Sequence, residues 1–513
     1  MERKTVLIIG GGVSGLTAGI YAEQHGFHAI VLEKNPSVGG LCTGWYRNGH
    51  YLDGCIHWLT GTKEGTDLNN MWKNVGALGE GVEVLQLGQW GTFEYEGQKV
   101  TFWSDLNKAE KEWINISPVD KAEIKRFFNM VRDVMSVNLP LYAPVSLMKF
   151  KDIIKLGFSV LDVWPSYLLT MKMSCEKYAK RFKSPAIRWA ITHAQPGAGN
   201  LYSMVFCYAT IASGNGGIPA GGSKPMVERM KNRFLSLGGT LKLNANISHV
   251  LVEKKTAKGV VLLDGTTYQG DYVVSALDPH FSLAKLLRNQ YSLPSFEKRY
   301  NNMKRNPTPS CCLFFFEGND DPLMGPYSFE CEPFKVGNSL ISHLTVRNYN
   351  YDREYFVKDG KTIYTVLVDQ YDFDYSYWNN LYKENPRKYR KVKEELARVI
   401  SAKIIQKFPQ FKGNLRVLDV STPKTLNRYT NSSRGAYMGF LFTKRDNMYV
   451  HNGSIPGLKN FILAGQWMQC PGGLPLALAE GMFAIQRICK YENLSYTFLP
   501  AGFRVKKINS QNY

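Results

Sequence analysis

The chain has 513 residues, of which 44% are hydrophobic and 21% charged, values that exclude an intrinsically disordered protein and point to more than one hydrophobic core. Its 63 Lys and Arg against 43 Asp and Glu give a formal net charge of +20, which suits an anionic partner, either nucleic acid or an anionic membrane surface. The basic residues are dispersed and no nucleic-acid module is recognisable, so no nucleic-acid partner is expected. No stretch of about 18 apolar residues is free of charges or Gly/Pro breaks, so no transmembrane helix is expected either.

In chain order, the apolar run Val6–Ile9 enters the turn Gly10-Gly11-Gly12-Val13-Ser14-Gly15, and the turn opens a helix. This is a dinucleotide-binding fingerprint in its proper setting. Gly10 permits the tight turn, Gly12 lets the backbone approach a pyrophosphate, and Gly15 lets helix and strand pack closely. The free N–H groups and positive dipole end of the helix would hold the phosphates. Ala29–Leu32 reads as the next strand and delivers Glu33 to a ribose hydroxyl. A carboxylate there repels a 2′-phosphate, so FAD or NAD fits better than NADP. A turn ending in Gly39-Gly40 follows.

Further along, Glu94–Lys99 reads as a hairpin turn between Thr92-Phe93 and Val100–Trp103. Ser117-Pro118-Val119-Asp120 starts a helix expected to run to about Met135. Between Leu147 and Trp164 the residues Lys149, Asp152, Lys155, Ser159 and Asp162 form one polar stripe on a helix, with Phe150, Ile153, Ile154, Phe158, Leu161 and Trp164 around it. That pattern fits an interfacial membrane helix, and equally a helix packed on its own domain. Helices are expected near 184–193 and 224–237, with a chain crossing at Gly214–Gly217 between them. Strands are expected at Leu241–Leu243, His249–Glu253, Gly259–Leu263 and Tyr272–Ser275.

A second, mainly antiparallel sheet is read from Cys311–Phe316, Leu340–Val346 and Ile363–Val368. The alternation of Tyr/Phe with Asp over 371–378 fits an edge strand, an exposed loop or a lid. Pro386–Phe408 reads as a long amphipathic helix. Near the C-terminus, the strand Asn460–Leu463 leads through Gly465, Gln466 and Trp467 to Pro471-Gly472-Gly473-Leu474-Pro475 and an Ala/Leu-rich helix containing Gly481. This second strand, glycine loop and helix start could cover the flavin end of an extended cofactor.

The nine cysteines are odd in number, scattered and without a C-x-x-C. They read as buried small hydrophobes in a reducing compartment, and no metal site is expected. Only four apolar residues separate the basic N-terminus from the glycines, so no secretory signal is read. The expected location is the cytoplasm, with the inner face of the membrane as the place of any peripheral contact.

The ordered set of blocks resembles the FAD-dependent amine-oxidase-like superfamily, and within it the phytoene desaturase, carotenoid isomerase and retinol saturase group. The likeness rests on the GGGVSG turn, Glu33 with Gly39-Gly40, Tyr51–His57 and Gly217–Ser223. It continues in Val273–Pro279, Thr422–Thr425 with Gly435–Tyr437, and the Ala464-Gly465 to Pro475 block. Two departures stand out: Leu41-Cys42 where many relatives place an arginine, and Gln466 where many place an acid. The resemblance implies an α/β fold in which a Rossmann-type FAD-binding domain (1–62, 214–285 and 445–513) is interleaved with an α+β substrate and membrane-facing domain (63–213 and 286–444). It implies FAD contacts at Gly10, Gly12, Val13, Ser14, Gly15, Glu33, Lys34, Gly39, Gly40, Leu41, Ala276, Gly465, Gln466, Gly473 and Leu474. Val250, in the strand that relatives place beside the adenine, is a candidate for adenine contact.

Flavin performs hydride and one-electron chemistry, and the protein positions the substrate and tunes the ring. Gly214–Gly222 lacks the preceding apolar strand and following acid of a second fingerprint, so no built-in NAD(P)H site is expected. Electrons would pass to or from a quinone, oxygen or a carrier. The resemblance implies desaturation or saturation of C–C bonds in a lipophilic isoprenoid or polyene. A redox-neutral flavin-dependent isomerase and a non-catalytic membrane-surface flavoprotein remain as alternatives. His57, in a loop expected to reach the flavin, is the titratable residue to test first; no acid–base pair is assigned.

Overall fold

The computed structural model describes residues 3–135, 141, 143–148, 170–195, 199–321, 325–441 and 449–496. The expected amphipathic helix of 147–164 therefore lies outside the described residues except for its first two positions.

One sheet of nine strands carries the N-terminal turn. Its main path runs Thr240–Lys242, His28–Leu32, Thr5–Ile9, Tyr272–Ser275, Leu458–Leu463, Thr256–Leu262, Ile247–Glu253. The strand Thr5–Ile9 (β1) is parallel to both neighbours, His28–Leu32 (β2) and Tyr272–Ser275. It is central, which is why it reads as a continuous apolar run and not an alternating one. Val6 and Ile8 enter one core with the helices Val13–Gln24 (α1), Ser223–Ser236 and Leu474–Tyr491. Leu7 and Ile9 enter the core on the opposite face, with Val250, Val273, Phe296 and Trp467. This is the expected Rossmann-type layer arrangement, assembled from segments at both ends and the middle of the chain.

The second sheet has seven strands in the order Arg416–Ser421, Ser310–Asn319, Lys361–Gln370, Ser339–Asn348, Tyr327–Val336, Gln89–Tyr95, Gln98–Trp103. All pairings are antiparallel except Tyr327–Val336 with Gln89–Tyr95. One face buries Phe314, Phe316, Val366 and Val368 under the helices Asp372–Glu384 and Pro386–Lys407. The other face packs Cys311, Leu313 and Phe315 with Tyr51 and Leu52 of the two-stranded sheet Gly44–Arg47 and His50–Asp53. The hairpin 89–103 is in turn covered by helices Leu106–Ile116, Lys121–Met135, Pro185–His193 and Leu201–Ala212. Glu96 and Gly97 at its tip both have positive φ, 48° and 77°, as a tight two-residue turn requires.

Residues 372–384 form a helix, not the strand, loop or lid that the Tyr/Phe–Asp alternation suggested. The acids cap the helix rather than mark a strand face. Asp374 accepts from the Tyr371 backbone N–H at 3.0 Å, and also from Asn338 N–H and the Ser339 hydroxyl, both at 2.8 Å. Acidic residues in a first turn complement the helix dipole. Trp378 then anchors the helix through an indole N–H donated to Gln370 Oε1 at 2.7 Å.

Candidate functional site

The fingerprint turn is held from both sides. Gly10 N–H donates to Leu32 O and Gly39 N–H to Gly11 O, each at 2.9 Å, so the Gly39-Gly40 loop lies against the turn. Gly10 has φ +100°. A Cβ on Gly15 would stand 1.8 Å from Gly10 O, which only glycine allows at this helix–strand approach. Gly12 precedes α1 with no side-chain cap, leaving the first N–H groups of the helix open to a ligand. Ser14 Oγ is buried and has no hydrogen-bond partner.

Glu33 closes this end. Its carboxylate, 4% exposed, accepts from Gly11 N–H at 2.7 Å and from Asn35 N–H and Nδ2 at 2.9 and 2.7 Å. It thus ties the fingerprint turn to the end of β2. Lys34 donates its ammonium to Arg428 O at 2.9 Å and Asn431 Oδ1 at 2.8 Å. The Lys34 side chain is thereby directed at the 423–431 segment.

The C-terminal block converges on the same place. Gly465, Gly472 and Gly473 have φ of 106°, 90° and 92°, and Gly473 precedes the helix Leu474–Tyr491. Gln466 Oε1 accepts from Gly473 N–H at 3.0 Å, so this amide oxygen braces the loop. Gly481 lets this helix sit directly on α1: a Cβ there would be 2.4 Å from Ser14 O. Two helix N-termini are thus set side by side over one space.

That space is a cavity of about 1810 Å³, well beyond the ~1,000 Å³ upper end of an ordinary small-molecule site. Gly10, Gly12, Val13, Ser14, Glu33, Lys34, Gly39, Gly40, Leu41, Ala276, Gly465, Gln466, Gly473 and Leu474 all line it, as does His57. Gly15 does not, being spent on helix–strand contact. Val250 does not either: it points into the core, and the cavity wall is made by Ala245, Asn246 and Ile247 at the start of that strand. The far end is walled by Trp58, Trp90, Leu141, Met171 and Phe206, and by Leu313, Arg347 and Leu367 of the second sheet.

The loop bearing His57 is built on Asp53. That carboxylate accepts from Cys55 N–H (2.8 Å), Ile56 N–H (3.1 Å), and the Ser223 N–H and hydroxyl (both 2.6 Å). It therefore caps the helix Ser223–Ser236 and fixes the Gly54–His57 loop together. Burial raises the Asp53 carboxyl, and these bonds pull it back. Burial, then the Arg347 guanidinium, hold the His57 imidazole well below its usual range, so it is neutral at physiological pH. The sequence placed Asp53 within a recognised block but assigned it no role, and it missed Arg347 altogether.

An open cradle of backbone N–H groups, an unpartnered buried hydroxyl at Ser14 and a carboxylate with room beside the turn fit the phosphates and ribose of a dinucleotide. The NAD(P)-binding Rossmann-like domain family matches residues 8–75. The chain is 25% identical over 291 residues to a lycopene-forming phytoene desaturase of Paracoccus sp. (strain N81106 / MBIC 01143), a match covering 55% of this chain and 56% of that protein. It is 20% identical over 518 residues to the 4,4′-diaponeurosporene oxygenase of Staphylococcus aureus (strain MW2), covering 94% and 98% of the two chains. Among solved structures, cyclohexylamine oxidase from Brevibacterium oxydans IH-35A superposes with a TM-score of 0.53 over 96% of this chain and 100% of that one, at 13% identity. That likeness is one of fold.

Proposed function

We infer that this chain, a phytoene-desaturase-like member of the amine-oxidase-like flavoprotein superfamily, is an FAD-dependent oxidoreductase that desaturates or saturates C–C bonds of a lipophilic isoprenoid or polyene. One observation carries the reading: a single cavity runs from a dinucleotide cradle to an apolar, aromatic-walled end. Gly12, Ser14 and the N-terminus of Leu474–Tyr491 would hold the pyrophosphate, and Glu33 the adenosine ribose. Ala245–Ile247 would flank the adenine. Bound there, FAD supplies hydride and electron transfer.

The residues of this chain do the rest. Trp58, Trp90, Leu141 and Phe206 exclude water from the apolar end and favour a long hydrocarbon. The neutral His57 could present a ring nitrogen as a proton acceptor at the cavity wall. The domain reading of 1–62, 214–285 and 445–513 around the cofactor, with 63–213 and 286–444 around the substrate, accords with this division. Electrons would be exchanged with a quinone, oxygen or a carrier, and the +20 charge supports docking at the inner face of an anionic membrane. No helix among the described residues is long and apolar enough to cross a membrane.

The test adds a polyene extract under anaerobic conditions to the FAD-loaded protein in two arms, one with the flavin pre-reduced and one with it oxidised, with flavin absorbance and substrate mass followed together. Flavin reoxidation with a gain of two hydrogens identifies a saturase. Reduction of oxidised flavin with loss of two hydrogens identifies a desaturase. Isomerised substrate with the flavin still reduced, or no change with any polyene, refutes the proposal.

A further inference from the structure

Arg347 lies on the strand Ser339–Asn348 and lines the cavity, as do Leu367 of the adjoining strand and Leu313 of the strand beyond it. Its guanidinium makes no hydrogen bond and no ion pair with any described residue. An arginine is not discharged in a protein, so burial lowers its basicity without removing the charge.

The neighbours answer that charge only in part. Asp369, opposite Cys311 in the sheet, does not line the cavity. Burial pushes its carboxyl up to about 7, so the acid is only partly ionised near neutral pH, and its Oδ1 is buried without a partner. His57 is neutral. Tyr437 lines the cavity, its hydroxyl makes no hydrogen bond with a described residue, and burial keeps it protonated. The wall thus offers one planar cationic fork and one phenolic donor beside leucines, with no acceptor hydrogen-bonded to the fork among the described residues.

We propose that Arg347, with the Tyr437 hydroxyl as a second donor, binds the terminal carboxylate of a long apolar substrate, which makes the substrate a polyene or isoprenoid acid. A guanidinium fork matches a carboxylate bidentately. One unit of charge suits a carboxylate; a diphosphate would draw several cations to the same wall. This proposal rests on the reading of the cavity as a flavin and lipid site, and it names the substrate class for it.

The test is fluorescence titration of the FAD-loaded protein with cis-parinarate, a polyene fatty acid, and with its methyl ester. The acid is expected to bind roughly 10- to 100-fold more tightly than the ester, the worth of a hydrogen bond to a charged group. R347M should abolish that preference while leaving ester binding within about twofold and FAD content unchanged. R347K should restore part of it, and Y437F should reduce it severalfold with FAD retained. Equal binding of acid and ester, or a preference unchanged in both R347M and Y437F, overturns the anchor. So does an R347M protein whose flavin spectrum shifts while acid and ester binding stay as they were, because Arg347 would then serve the flavin. If the ester binds and the acid gains nothing, only the anchor falls. If neither probe binds, the lipid reading of the cavity falls with it.

Discussion

Replacing Glu33 by alanine separates two roles that one carboxylate combines. In the protein without cofactor it holds three donors: Gly11 N–H at 2.7 Å, and Asn35 N–H and Nδ2 at 2.9 and 2.7 Å. Gly11 is buried, so its N–H is left without an acceptor. A hydrogen bond to a charged group contributes about 1.5–3 kcal/mol, and an unsatisfied buried donor costs about 1–3 kcal/mol. These terms overlap, and water can reach Asn35, so about 2–4 kcal/mol of stability should be lost. The lost ribose contact should weaken FAD binding by a further factor of roughly 10 to 100. Glu33→Gln keeps one carbonyl oxygen, enough for Gly11 or for Asn35, and should lose about half as much. Stability is measured by urea unfolding of FAD-stripped protein, because bound ligand would otherwise raise the midpoint. Affinity is measured by quenching of FAD fluorescence. An FAD affinity within twofold of the unsubstituted protein refutes the ribose assignment. An unchanged urea midpoint refutes the bracing of the turn.

Three further substitutions probe the surroundings. Gly481→Ala places a Cβ 2.4 Å from Ser14 O and 2.8 Å from Thr17 Cβ; forcing the two helices apart should cost about 1–3 kcal/mol and release FAD at a lower temperature, as a thermal scan of flavin fluorescence would show. Arg487→Met takes the countercharge from Glu480, which is 0% exposed and receives Arg487 Nη1 at 3.1 Å, leaving it only the Gln469 amide at 2.6 Å. That should cost about 3–5 kcal/mol, and adding Glu480→Gln should recover most of it in the same unfolding assay. Asp369→Asn has a pH signature. Burial raises this carboxyl from 3.8 to about 7, with Arg347 pulling the other way. The native state therefore keeps a proton that the unfolded state releases, and stability from this group falls as pH rises through that window. The substitution should add up to roughly 4 kcal/mol at pH 8 and almost nothing below pH 4. His343, lowered by burial to about 4, acts oppositely: its neutral native form makes stability rise with pH between about 4 and 6.5. Equal shifts of the Asp369→Asn midpoint at pH 4 and pH 8 would refute the buried-acid account.

Backbone chemistry decides which parts of the site could be read without coordinates. A tight turn, a close helix approach and an open helix N-terminus each demand glycine, so Gly10, Gly12, Gly15, Gly39 and Gly473 announce their geometry. Val250 stands off the cavity because the wall is made at the strand's start. The chain meets the cavity at Ala245–Ile247, and a register irregularity between Ile247 and His249 separates that stretch from the regular ladder in which Val250 turns inward. The helix at Asp372–Glu384 was hidden for a related reason: acids two apart look like strand alternation, and only their hydrogen bonds show them to be a cap.

The far wall poses a deeper ambiguity. Along Ser339–Asn348, Leu344 and Val346 alternate into the second core, which Ile341 also borders, leaving His343, Thr345 and Arg347 on the opposite side. Mostly polar residues on one strand face ordinarily mean solvent. Here His343 meets the His193 ring at 4.6 Å and Arg347 borders the cavity, because other elements cover that face. A polar strand face has two solutions, water or a site, and periodicity is the same for both. What separates them is the layer on top, and that layer comes from residues distant in sequence: Tyr51 and Leu52 before the sheet, Leu426 and Tyr437 after it. A charged side chain such as Arg347 therefore changes meaning from solvated surface to ligand anchor only when distant segments close over it.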